Sequence, residues 1–158
     1  MSGAGSPDIE IDGTGLKVTI VAGRWHERIS EGLLAGARRV LDASGAEVTE
    51  IRVPGSFELA VVAKAALEAG ADAVVALGVI VRGGTPHFEY VSDAATSGLT
   101  RVGLDTGKPI GFGLLTLDDE QQGLDRAGLP GSKEDKGAEA AQAAIATAVA
   151  LRSLRSAR

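Results

Sequence analysis

A chain of 158 residues with a formal net charge of −5 and no cysteine is large enough to form one domain with a real core. The acidic balance argues against nucleic acid as the main partner. The missing cysteines remove disulfides and thiolate chemistry, and two histidines, His26 and His87, are too few for a His-rich metal site. Hydrophobic residues make up 44% of the chain but aromatics only 3%, so the core is built of Ala, Val, Leu and Ile, which suits layered α/β packing. The longest apolar run, Ala73 to Val81, is far shorter than the roughly 20 residues of a membrane helix. The opening MSGAGSPD lacks the basic and apolar parts of a secretory signal. A cytoplasmic protein without a membrane partner is expected.

Residues 1–15 are expected to be a flexible arm, within which Ile9 to Asp12 alternates apolar and acidic residues like a short edge strand. Residues 16–158 are expected to form a single α/β domain. Leu16 to Ala22 reads as the first strand of that domain. Ile29, Leu33, Ala37, Val40 and Leu41 then recur at helical spacing up to Gly45. Val48 to Val53 is a second strand, stopped by Pro54-Gly55. Ser56 is placed to cap a helix whose stripe includes Leu59, Val62, Ala63, Ala66 and Leu67. Ala73 to Val81 has the continuous β-branched character of a strand buried on both faces. A helix is predicted from Pro86 to Leu104, a fourth strand from Pro109 to Leu117, and a short helix from the acidic Asp118-Asp119-Glu120. An alanine-rich helix follows over Ser132 to Leu154. Four strands alternating with helices predict a three-layer α/β/α sandwich around a four-stranded parallel sheet.

Ligands of such sheets bind beyond the carboxyl ends of the strands. This points to Arg24-Trp25-His26, Pro54 to Glu58, Arg82 to Phe88 and the segment after Thr116. The third of these is the most suggestive. Gly83, Gly84 and Thr85 make a turn whose glycines tolerate unusual backbone angles, and Pro86 suits a helix's first turn. Unpaired N–H groups and a helix dipole there can receive an anion. His87, one residue into the helix, can move a proton near neutral pH. Taken alone, Gly83-Gly84-Thr85 is also compatible with an ordinary glycine turn, but the chain has no better phosphate motif. Residues 103–109 are too short for a P-loop, and Gly111-Phe112-Gly113 lacks the third glycine of a dinucleotide fingerprint. Trp25 is either a packed helix-start anchor or a flat platform for a planar heterocycle. His26 reads as a polar helix-start residue with no chemistry assigned.

The string from Ala76 to Val91, ALGVIVRGGTPHFEYV, resembles the central motif of the lumazine synthases, which carry out the penultimate step of riboflavin biosynthesis. Residues 53–59, Trp25 and the Arg126 to Gly137 region agree with it in order. The resemblance implies a transferase with flavodoxin-like strand order. It would condense 5-amino-6-ribitylamino-pyrimidinedione with 3,4-dihydroxy-2-butanone 4-phosphate, without metal or organic cofactor. It assigns proton transfer to His87 and stacking on the pyrimidine to Trp25. Ser56, Phe57 and Glu58 would receive the ribityl chain, while Val79, Ile80, Val81 and Phe88 line the pocket. Gly83, Gly84 and Thr85 would hold phosphate together with Arg126, which a neighbouring subunit supplies, as it does the aromatic Phe112. Lys136 would lie near the site. Ala60, Gln121 and Gly123 depart from the family's usual proline, glutamate and alanine. The partners implied are the two substrates, further copies of the chain and, in the pathway, riboflavin synthase. The length of the Leu129 to Asp135 segment favours a homopentamer over a closed shell. Two other readings stay open: a non-catalytic flavin or lumazine binder, and a structural shell protein of the same fold.

Overall fold

A computed structural model describes Gly5 and residues 11–157. The elements in chain order are β1 (Lys17–Gly23), α1 (Glu27–Ser44), β2 (Glu47–Val53), α2 (Leu59–Glu68), β3 (Ala73–Val81), α3 (His87–Thr106), β4 (Ile110–Leu117), α4 (Glu120–Leu124) and α5 (Lys136–Ser156). The four strands are all parallel, in the order β2-β1-β3-β4. This is the flavodoxin-like order expected, with the chain reversing direction across the sheet between β1 and β3. Ile9 and Glu10, where the extra edge strand was expected to begin, lie outside the described residues, and Ile11 and Asp12 are not in a strand. The stretch that follows is tied to the body of the protein: the Gly13 N–H donates to the Ser44 carbonyl at 2.9 Å, and Ile11 packs on the core.

Period-two alternation on the inner strands divides the core into two layers. Ile20, Val75, Leu77 and Val79 face α1 and α5, where they meet Leu33, Leu41, Ala141 and Ile145. Val21, Val74, Ala76 and Ile80 face α2 and α3, against Leu59, Ala63, Leu67, Ala95 and Leu99. Eight of the nine residues of β3 are buried, which explains why that strand reads as an unbroken apolar run. The alanine-rich α5 fits against α1 because its small side chains permit a close approach; a Cβ added at Gly137 would run into the Leu33 carbonyl.

Two helix starts differ from the sequence reading. The residue expected to cap the second helix, Ser56, instead lies in a 3₁₀ turn over Ser56–Glu58. There Glu58 reaches back and its Oε2 accepts the Gly55 N–H at 3.1 Å. Likewise α5 begins at Lys136 rather than Ser132, because Asp135 is its cap and accepts the Ala138 N–H at 3.0 Å. Ser132 closes the preceding loop, its Oγ donating to the Leu124 carbonyl at 2.5 Å.

The Gly137→Ala protein should be destabilised by about 1–3 kcal/mol, the usual range for overpacking a filled core. A lower urea midpoint at fixed protein concentration, with unchanged slope, is the expected result.

Candidate active site

The carboxyl ends of β1, β2 and β3 open into one cavity of about 670 Å³. Trp25 and His26 follow β1, Gly55 to Glu58 follow β2, Val79 to Val81 close β3, and His87, Tyr90 and Val91 come from the first turns of α3. Three separate crossovers thus deliver side chains to one place, as parallel topology requires.

The loop after β1 is held on three sides. The buried Ser30 hydroxyl, one turn into α1, lies 3.0 Å from both the Gly23 and Trp25 carbonyls and can donate to either. The Arg52 guanidinium donates to Gly23 O at 3.2 Å, and the Arg24 N–H donates to Val53 O at 3.1 Å. Trp25 itself is 67% exposed, which does not suit a packed anchor and leaves a ring face on the cavity wall. One edge of its indole rests on Gly55: a Cβ at that glycine would come within 3.1 Å of Trp25 Cδ1.

Phe57 is also exposed at the cavity wall, whereas Ser56 is buried. The Ser56 Oγ lies over Gly78 and finds no hydrogen-bond partner among the described residues. Val79, Ile80 and Val81 supply an apolar floor that would strip water from a bound ring.

The turn leading to His87 is anchored at its two ends and open between them. Arg82 Nε donates to Asp118 at 3.1 Å and Arg82 Nη1 to Glu89 at 2.6 Å, while its guanidinium sits 4.3 Å above the Phe88 ring. The hydrogen bond from Arg82 holds the Glu89 carboxyl below its ordinary value. Gly83 and Gly84 are exposed, and a Cβ on either would meet nothing within 4 Å. Neither has a left-handed φ, so the unusual backbone angles expected of them are not used; what the glycines offer is unhindered access to backbone N–H groups. Thr85 Oγ1 accepts the His87 N–H at 3.4 Å. Pro86 precedes the helix as its cap residue, and His87 is the first helical residue.

Other candidate residues stand away from this cavity's lining. Gly83, Gly84 and Thr85 lie in the exposed turn beside it, and Phe88 packs on the α2/α3 side of the core. Phe112 pairs with Ala76 in the sheet register, three residues short of Val79. It is 50% exposed on an edge strand and so faces out from its own chain. Arg126, half-buried after α4, donates from Nη1 to the Gln122 carbonyl at 2.8 Å. Lys136 is held between Glu134 and Glu139, each at 3.1 Å. Burial opposes its charge, but the two carboxylates outweigh this and keep the ammonium above its ordinary value.

Sequence reasoning missed Tyr90 and Val91, which line the cavity one helical turn after His87, and it gave no role to His26, Ser30 or Arg82. Helical spacing of three and four from His87 would have found the first two. Nothing in the sequence distinguishes Ser30 from any other helical serine.

The structure is that of a three-layer parallel α/β protein whose strand ends gather an exposed tryptophan, an apolar floor and a histidine around one cavity. A sequence profile described as 6,7-dimethyl-8-ribityllumazine synthase matches residues 15–152. Proteins of that name from Clavibacter michiganensis subsp. michiganensis, Leifsonia xyli subsp. xyli and Streptomyces avermitilis are similar to the chain throughout. The first is 78% identical over 99% of this chain and 100% of its own length. The second is 76% identical over 98% and 99%, and the third 56% over 98% and 97%. The chain belongs to the 6,7-dimethyl-8-ribityllumazine synthase family.

Replacing Arg82 with alanine should release the turn. Amide exchange across residues 83–88, measured by mass spectrometry at neutral pH, should quicken about two- to fivefold, as befits an exposed ion pair. In the unmodified protein the tether is complete above the ordinary carboxylate value and is lost as pH falls through the lowered value of Glu89. Acidification should therefore reproduce the effect once intrinsic exchange is corrected for.

Proposed function

We propose that the protein is a transferase that condenses 5-amino-6-ribitylamino-pyrimidinedione with 3,4-dihydroxy-2-butanone 4-phosphate to 6,7-dimethyl-8-ribityllumazine, at sites shared between neighbouring copies. One observation carries this reading. Trp25, Glu58 and His87 converge on a single cavity, whereas Phe112 and Arg126, which the same chemistry calls for, are not part of its lining.

In this reading the pyrimidine stacks on Trp25 over the floor of Val79, Ile80 and Val81. Its ribityl chain lies along Ser56, Phe57 and Glu58. A polyol needs such polar neighbours, because each hydroxyl stripped of water without a partner costs about 1–3 kcal/mol. The phosphate of the second substrate rests on the N–H groups of the Gly83-Gly84-Thr85 turn and is gripped by Arg126 of the adjoining copy, a planar guanidinium suited to two oxygens. The free pyrimidine amine attacks the ketone, and loss of water gives an imine. Elimination of phosphate follows, the resulting enol tautomerises to a ketone, and attack by the ribityl-bearing nitrogen closes the ring with loss of a second water. Every step moves a proton, and His87 is the group placed to carry them. Most of the acceleration comes from holding two substrates in register, which can supply several kcal/mol.

The exposed apolar side chains Phe57, Val61, Tyr90 and Phe112 favour burial between copies, and a homopentamer is the assembly we infer. Among the described residues no helix is long and apolar enough to cross a membrane, which is compatible with a cytoplasmic enzyme working in sequence with riboflavin synthase.

His87→Ala should lower kcat by about 10²–10⁴ without abolishing turnover, as followed by lumazine absorbance with both substrates saturating. Arg126→Ala should chiefly raise KM for the butanone phosphate, about tenfold or more, given the strength of charge-assisted bonds. Purified, assembled protein that does not accelerate product formation over the spontaneous reaction would leave the non-catalytic binder as the better account.

A further inference from the structure

The chain has two histidines, and both line the same cavity. His26 sits in left-handed backbone, with φ 57° and ψ 65°. Every other described residue with positive φ is a glycine: Gly15, Gly45, Gly70, Gly107, Gly128 and Gly131. A side chain in that conformation crowds its own backbone and costs free energy that glycine avoids. A chain that uses glycine at six such positions nevertheless keeps an imidazole at the seventh.

Helix capping does not account for it. His26 immediately precedes α1, but its side chain makes no capping hydrogen bond. What ties it to the helix is its carbonyl, which accepts the Ser30 N–H at 2.9 Å, a bond open to any residue. The turn itself is fixed by Ser30 and Arg52. His26 lines the cavity next to Trp25. Strain retained at a cavity wall is a mark of function when the local fold does not explain it.

We propose that His26 contacts the substrate, its imidazole hydrogen-bonding the polar edge of the heterocycle stacked on Trp25. This rests on the reading above and deepens it. Stacking fixes the plane of a ring, and a ribityl chain held at one edge limits but does not abolish its turning within that plane. One hydrogen bond at the rim removes this rotation and aims the reactive amine. Neutral imidazole carries one donor and one acceptor, and a pyrimidinedione edge offers both carbonyls and N–H groups, so either tautomer can serve.

Three proteins decide it. His26→Gly removes both the side chain and the strain, and His26→Asn keeps a short polar group in a residue that tolerates left-handed backbone. Binding of the ribitylamino-pyrimidine is read from quenching of Trp25, the only tryptophan, and turnover from lumazine absorbance. The glycine variant should melt at or above the unmodified protein's temperature, yet bind the pyrimidine about tenfold more weakly, the scale of one lost hydrogen bond. Its KM for butanone phosphate should not change, and the asparagine variant should recover most of the affinity. A glycine variant that binds the pyrimidine as tightly as the unmodified protein would overturn the proposal. So would a loss of affinity that follows a lowered melting temperature and is not recovered by asparagine. Failure of the unmodified protein to turn over would count against the synthase reading alone, because the binding comparison decides the role of His26 without catalysis.

Discussion

Burial of β3 on both faces is the constraint on which the rest depends. A strand with eight of nine residues out of water has no side available for polar chemistry, and its neighbours β1 and β4 must satisfy its backbone on either edge. Helices then have to cover both faces, crossovers have to be long, and every loop with freedom to vary falls at a strand end. The site is consequently assembled from loops whose only common feature is where the sheet stops. Val79, Ile80 and Val81 belong to both worlds, as the last turns of the core and the floor of the cavity.

Around that floor the polar groups divide into those that work on the scaffold and those left for a ligand. Ser30, Arg52 and Arg82 spend their hydrogen bonds on loops. Glu58 gives one oxygen to the Gly55 N–H, which fixes the chain just where Trp25 leans on it. On the proposed reading, preorganisation of this kind matters because alignment of the two substrates supplies much of the rate, and a loop that moves by an ångström forfeits much of that advantage. The lysine at the start of α5 is instead neutralised locally by two glutamates. That pairing gives Lys136 a structural task whatever else it does.

Elements with strong periodicity were legible in the sequence almost to the residue. β3 spans Ala73–Val81 as read, β2 and β4 differ from the reading by one residue at one end and β1 is shifted by one residue at both, because alternation and β-branching report burial directly. Helix starts were less legible. Ser56 has the chemistry of a cap, yet it lies in a 3₁₀ turn that Glu58 closes, and the last helix starts not at Ser132 but after its cap Asp135, because a side chain's reach over three residues depends on loop geometry that sequence does not encode. In the site, Trp25, the residues from Ser56 to Glu58 and His87 could be gathered by one rule, that ligands sit at strand ends. Tyr90 could have been gathered by helical spacing. Ser30 and the backbone of His26 could not, since a buried clamp and a left-handed turn leave no pattern in composition or period.

The outward aim of Phe112 has a further consequence. On the proposed reading each chain is a complete fold but only part of a site, and the missing part is another copy of itself. Dilution then becomes a form of inhibition: below the concentration at which copies separate, a population of intact, folded chains would fall silent together. A substitution on the exposed edge strand could do the same to its neighbour while leaving its own cavity untouched. In a mixture of variants, one chain lacking His87 and another lacking Arg126 would restore, at their shared boundary, a working centre that neither possesses alone.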